Sequence, residues 1–325
     1  MRIRPRRNRK TALLRDSLAE TRVHREQLIQ PHFVQDKDGI TPIGAMPGIS
    51  RMGIEPLVDQ VGADLEHGLS SVLLFGVHDS DEKDEHASAA TDPDGLIPRA
   101  VRRLRDVFGD RLTIMTDVCL CGAMSSGHCG VLEASGRILN DESLPLLADM
   151  ALAHAHAGAD VVAPSDMMDG RVVAIRDRLD DDGMSDTAIL SYSTKFASAF
   201  YGPFREAADS SPQSGDRKTY QLDPRNRREA VRESILDQEE GADMLMVKPA
   251  LSYLDIIRDV ADSTDLPLAA YNVSGEYGMV KATAERGWID ERAVVLEILT
   301  SIVRAGAGLV ITYHAREALE QGWLQ

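Results

Sequence analysis

Gly241-Ala242-Asp243-Met244-Leu245-Met246-Val247-Lys248 decides the fold. An amphipathic stretch over 225–240 leads into it. A glycine at that junction ends a helix in a left-handed cap. The apolar run that follows has strand length and stops on a lysine. The same step recurs at Gly158-Ala159-Asp160 and, in variant form, at Ala305-Gly306-Ala307. Working outward, strand-like runs are predicted at 41–46, 71–77, 112–118, 159–165, 188–194, 243–248, 267–273 and 309–313. Helical stretches at 141–157, 225–240, 254–263 and 291–305 lie between them. Eight such βα units predict an α/β fold of the (β/α)8 TIM-barrel type. A doubly wound open sheet fits less well, because no Gly-rich dinucleotide loop follows the first run. Residues 1–35 read as an extended basic N-terminal arm making oligomer contacts, and residues 36–325 as the catalytic barrel.

Composition narrows the class. The chain has 325 residues, 43% hydrophobic and 27% charged, which excludes disorder as its main state. Apolar runs fall far short of the roughly 20 residues a membrane span needs, so no membrane partner is expected. The net charge is −16, although the first ten residues carry six bases and no acid. Such an acidic body repels phosphate and excludes nucleic acid as the main partner. Asp is abundant and only seven residues are Lys, a surface suited to high salt. The basic N-terminus leads into no apolar stretch, unlike a secretory signal. The chain has three cysteines, an odd number that fits a reducing, cytoplasmic setting.

In a barrel, chemistry collects where strands end. Lys195 and Lys248 end adjacent predicted strands. One such lysine is usually a snorkelling surface cation. Two close together repel, which lowers the pKa of one and lets its neutral amine attack a ketone to form a Schiff base. Cys119, Cys121 and Cys129 fall within eleven residues. They read as a three-thiolate metal site with an open position, or else as buried thiols without metal. His128 is either a fourth ligand or a neighbour, and Asp117 either orients the metal shell or binds an amine. Arg205, Arg217, Lys218 and Gln221 lie in or near the segment 209–223, which reads as a lid with a carboxylate clamp. Asp79 to Asp94 reads as a surface loop. Asp166 and Asp169 are a catalytic or Mg²⁺-binding pair, or simply a loop–helix cap.

Longer motifs then coincide: Asp117-Val118-Cys119-Leu120-Cys121 with Gly127-His128-Cys129-Gly130, the run 162–172 from Val162 through Pro164-Ser165-Asp166 to Val172, 191–205 from Ser191 to Arg205, Met244 to Pro249, and Tyr271 to Tyr277. Over nearly its whole length the chain resembles the porphobilinogen synthase (5-aminolevulinate dehydratase) family. That resemblance implies a lyase that condenses two 5-aminolevulinate molecules into porphobilinogen with loss of two waters, in tetrapyrrole synthesis. By the same resemblance, Lys248 and Lys195 form Schiff bases with the two substrates, and Cys119, Cys121 and Cys129 hold a catalytic zinc. Arg205, Arg217 and Gln221 bind one substrate carboxylate, and Ser274 and Tyr313 the other. Asp117 and Ser165 contact the amine, and Tyr201, Phe200 and Phe204 line the pocket. Glu233 matches a magnesium ligand of an allosteric site, and the basic arm matches one that embraces a neighbour in a homo-octamer. Two departures stand out. The span Gly122 to His128 lacks an aromatic and a second His, and His314 stands where a second Tyr is common.

Overall fold

The computed structural model describes residues 2–324. Eight parallel strands close into a barrel: β1 (Leu28–Gln35), β2 (Ser71–Val77), β3 (Thr113–Val118), β4 (Val161–Pro164), β5 (Ala188–Lys195), β6 (Met244–Lys248), β7 (Leu268–Asn272) and β8 (Leu309–Thr312). Closure is made where Leu28 and Ile29 of β1 pair with Val310 and Ile311 of β8. Helices between the strands include Asn140–His156, Arg227–Glu239, Leu254–Ser263 and Glu291–Ala305. Among the described residues no helix is long and apolar enough to cross a membrane.

Seven predicted strands lie where expected, but the first does not. Its predicted residues, 41–46, fall around a small antiparallel hairpin, Ile40–Pro42 with Ser50–Met52, that leans on the end of β1. The true β1 falls in the segment read as arm. Gln30, Pro31 and His32 interrupt its apolar pattern, and a proline ordinarily argues against a strand. Tertiary contacts surround these polar groups, although His32 Nε2 keeps no hydrogen-bond partner. Gln30 Oε1 accepts from the Arg316 amide at 3.1 Å. His32 Nε2 lies 3.6 Å from Asp64 Oδ2, and Asp64 in turn accepts both arms of Arg316 at 2.7 and 3.0 Å. Burial keeps the His32 imidazole neutral, with its pKa down to about 3.

Strand alternation divides the core in two. Ile29, Phe33, Leu73, Phe75, Met115 and Met246 point into the barrel, where they form one apolar cluster with Tyr192 and Tyr271. Their strand neighbours Leu28, Val118, Val162, Leu245 and Val310 face the helices in a second cluster. The pattern breaks once. Ser191 pairs with Leu245 but Thr194 with Val247, so three steps along β5 match two along β6. This bulge turns Ser193 and Thr194 together toward Ser234 of the flanking helix, at 3.0 and 2.9 Å. Lys195 thereby returns to the interior, its Nζ 5.8 Å from the Tyr192 ring centroid.

One buried ion pair joins the helices Arg171–Asp181 and Arg227–Glu239 against β5. Arg171 donates to both oxygens of Asp237 at 2.8 and 2.7 Å, with both side chains 3% exposed. Ser191 of β5 shares Asp237 at 2.5 Å. Removing one partner strands a buried charge. We expect Asp237→Ala to lower stability by about 3–5 kcal/mol in guanidinium denaturation, more than any exposed ion pair in the chain.

Candidate active site

At the C-terminal mouth of the barrel Lys195 and Lys248 occupy the same register position on neighbouring strands. Both are buried, at 5% and 4% exposure. The Lys248 Nζ sits inside a box of aromatic faces: Tyr271 at 4.2 Å, Phe204 at 4.9 Å, Tyr192 at 5.1 Å and Tyr201 at 5.4 Å from their centroids. Burial, and then the Lys195 ammonium, lower the Lys248 pKa to about 7. Half of it is therefore a neutral nucleophile near neutral pH. The Lys195 Nζ donates to the Ser165 carbonyl.

Asp117 ends β3 beside both amines. Burial raises its carboxyl to about 6, against the pull of Lys195. Its Oδ1 has no hydrogen-bond partner. Ser165 follows β4 directly and is buried. Tyr201 is held by its hydroxyl, which donates to the Lys248 carbonyl at 3.2 Å. On the far side, Tyr313 and Tyr271 share a 3.0 Å hydroxyl contact. Ser274 Oγ accepts from the Phe204 amide at 3.0 Å, which fixes the helix Gly202–Ala207 over the mouth. Glu276 locks the same corner, accepting from Leu251 N, Asn272 Nδ2 and Val273 N at 2.8–3.0 Å.

Cys119 and Cys121 line a cavity with Asp117 that also meets Phe204 and Ser210, and Cys129 joins them from the same loop. All are buried, with their sulfurs within 4.8 Å of one another. The Cys119 and Cys121 sulfurs are 3.2 Å apart. Hydrogen bonds from Cys119 and Cys121, and after them the charge of Arg217, pull the Cys129 thiol below its usual range. Three converging soft donors, one already inclined to ionise, fit a metal ion with an open coordination position.

His128 is not free to join them. Its Nε2 donates to the Ser214 carbonyl at 2.9 Å, and its Nδ1 accepts from the Tyr220 hydroxyl at 3.1 Å. These bonds belong to a seam between the cysteine loop and the segment 209–223. Gln213 N donates to Ser126 O at 3.0 Å, and Arg217 Nη2 to Gly127 O at 2.8 Å. The Nε atoms of Arg205 and Arg217 and the Nε2 of Gln221 are buried without partners. Three unused donors in one region are what an anionic group requires.

Two sequence candidates lie elsewhere. Asp166 is buried and accepts from Met168 N at 2.7 Å, so it shapes a turn. Glu233 is half-buried on the helix Arg227–Glu239, lining a separate cavity with Asp169 and Asn226. Burial, and then Asp237 and Asp169, raise its pKa. The residues that sequence reading missed are Tyr192 and Tyr271. Tyrosine at an inward strand position reads as ordinary core, and only the position of Lys248 gives these rings a polar task.

Gly127 (φ +69°) lies under the seam, where a Cβ would meet the Ser211 carbonyl oxygen at 2.4 Å. Gly127→Ala should therefore lift the covering segment. The expected sign is faster trypsin cleavage after Arg217 or Lys218, with the melting of the barrel little changed.

Residues 2–321 match the family described as Delta-aminolevulinic acid dehydratase. The dehydratase of Halalkalibacterium halodurans is 51% identical over 322 residues, covering 99% of this chain and 96% of that protein. That of Methanothermobacter thermautotrophicus is 53% identical over 319 residues, covering 97% and 96%. The crystal structure of the Toxoplasma gondii enzyme, solved in complex with its reaction product porphobilinogen, superposes with a TM-score of 0.97 at 49% identity, covering 99% of this chain and 92% of that one. With a family match over residues 2–321 and relatives about half identical over nearly the full length, the chain belongs to the delta-aminolevulinic acid dehydratase family.

Proposed function

We propose that the chain condenses two molecules of 5-aminolevulinate to porphobilinogen, releasing two waters, and that the residues at the barrel mouth divide the work as follows. The observation that carries this reading is the pair of buried lysines in one register, one of them with its pKa brought down to about 7. A condensation of two ketones needs two amines to hold and activate them, and this mouth has two. Neutral Lys248 attacks the ketone of the substrate that supplies the acetyl and aminomethyl side. The carbinolamine loses water, leaving an imine. Lys195 does the same for the substrate that becomes the propionyl side. Its amine must first lose a proton, and Asp117, with its carboxyl at about 6, is the neighbouring group able to take one.

Arg205, Arg217 and Gln221 bind the carboxylate of the first substrate beneath the covering segment, and their unpartnered donors support this. Ser274 and Tyr313 bind the other carboxylate. Asp117 and Ser165 receive the substrate amine, and Phe200, Phe204 and Tyr201 exclude water. Holding both substrates in register removes much of the entropic barrier. Cys119, Cys121 and Cys129 would hold a zinc ion, which supplies Lewis acidity toward an amino group or a departing hydroxyl. Glu233 would serve a magnesium ion at a regulatory position. The arm carrying Arg4, Arg6, Arg7, Arg9 and Lys10 would reach a neighbouring subunit in a homo-octamer. Its exposed Ile3, Leu13 and Leu18 support contact with another chain. Three free thiols held close together support a reducing, cytoplasmic setting.

Borohydride should trap 5-aminolevulinate on Lys248, mapped by mass spectrometry, and Lys248→Ala should lose the adduct and at least about a thousandfold of pyrrole formation. An intact rate in that variant would overturn the assignment. The trapped fraction should rise through about pH 7 and level off, because the amine is neutral above its lowered pKa. A rise that continued to pH 10 would mean an ordinary lysine. Lys195→Met, which removes a like charge, should move the midpoint upward.

A further inference from the structure

Behind Tyr313, on the outer side of the barrel mouth, lies a group of side chains that the reaction does not use. His314 follows β8 and is fully buried. Its ring centroid lies 4.5 Å from that of Tyr277, the planes tilted by 48°, and neither ring nitrogen has a hydrogen-bond partner. Facing it are Glu291, which starts the helix Glu291–Ala305, and Glu317, on the helix Ala315–Glu320. One imidazole nitrogen and one oxygen from each carboxylate lie within 4.8 Å of one another. Among the described residues, only the cysteine trio groups potential ligands in the same way.

The charge is already partly met. Lys281 reaches in from the helix Ser274–Glu285 and pairs with Glu317 and, at 2.6 Å, with Glu291 Oε1. The ammonium meets the carboxylates but leaves both nitrogens of the imidazole without a partner. A neutral imidazole buried with two unused nitrogens costs free energy, whereas a lone pair given to a metal recovers it. One nitrogen with two carboxylate oxygens suits a divalent ion of the zinc class better than magnesium, which prefers oxygen alone. The lysine side chain is 16% exposed, and its long stem can swing its head to water when a doubly charged ion takes its place.

We propose that His314, Glu291 and Glu317 form a second binding site for a zinc-class divalent ion, with the Lys281 ammonium as the built-in cation that the metal displaces. A metal there would tie the helices Glu291–Ala305 and Ala315–Glu320 to the residue following Tyr313.

The proposal is tested by zinc equilibrium dialysis on the full-length chain carrying Cys119→Ser, Cys121→Ser and Cys129→Ser, so that the thiol site is silent. One zinc per chain is expected. His314→Phe, which keeps a ring against Tyr277, and Glu317→Gln should each weaken it at least about tenfold. Lys281→Met should tighten it about tenfold by removing the competing charge. These opposite directions are what a structural role for the cluster would not produce. Zinc affinity unchanged by His314→Phe, or not raised by Lys281→Met, would overturn the site. If the triple serine chain does not fold, the same answer comes from a zinc titration of the parent chain across the range in which its second ion binds. His314→Phe should then shift that second binding step to at least about tenfold higher free zinc, and an unshifted step would overturn the proposal.

Discussion

Two amines in one dry barrel mouth are the constraint on which the rest of the site depends. Each lysine alone would prefer water, and each raises the cost of charging the other. The chain meets this cost by leaving one amine only partly charged near neutral pH. Lys248 is surrounded by ring faces, which tolerate an ammonium and leave a neutral amine reactive. Lys195 is given a carbonyl, that of Ser165, and Asp117 stands near both. The arrangement persists because a closed parallel barrel is rigid and its strand ends cannot splay.

The cysteine loop and the segment 209–223 share one set of bonds. His128, Gly127 and Ser126 on one side meet Ser214, Tyr220, Arg217 and Gln213 on the other. The groups suited to a metal and those suited to a carboxylate are therefore not independent. A shift of either loop reaches the other through backbone carbonyls, which have no slack. The three thiols stay together across the whole span Gly122 to His128. Their convergence is set by β3 and by the seam, and not by the residues between them.

Much of this was legible beforehand. Apolar runs broken by helix caps announce a βα repeat, and seven of the eight strands lie where that rhythm puts them. Lys195, Lys248 and the cysteine trio are visible because their residue types are rare in this chain and crowd at strand ends. The first strand was hidden, since Gln30, Pro31 and His32 look like loop until Asp64 and Arg316 arrive from distant helices. Asp166 looked like a candidate acid, and folding spent it on a turn.

Sequence alone determined the class of fold, the family and the chemical type of each reactive group, because periodicity, caps and residue identity are local properties. Tertiary structure decided which of those groups meet. It turned Lys195 inward through a bulge that no period-two pattern contains, placed Tyr192 and Tyr271 around Lys248, engaged both nitrogens of His128, and left those of His314 unused. The physical reason is that pKa, hydrogen-bond satisfaction and ligand geometry depend on neighbours far away in the chain, and only closing the barrel brings those neighbours within reach.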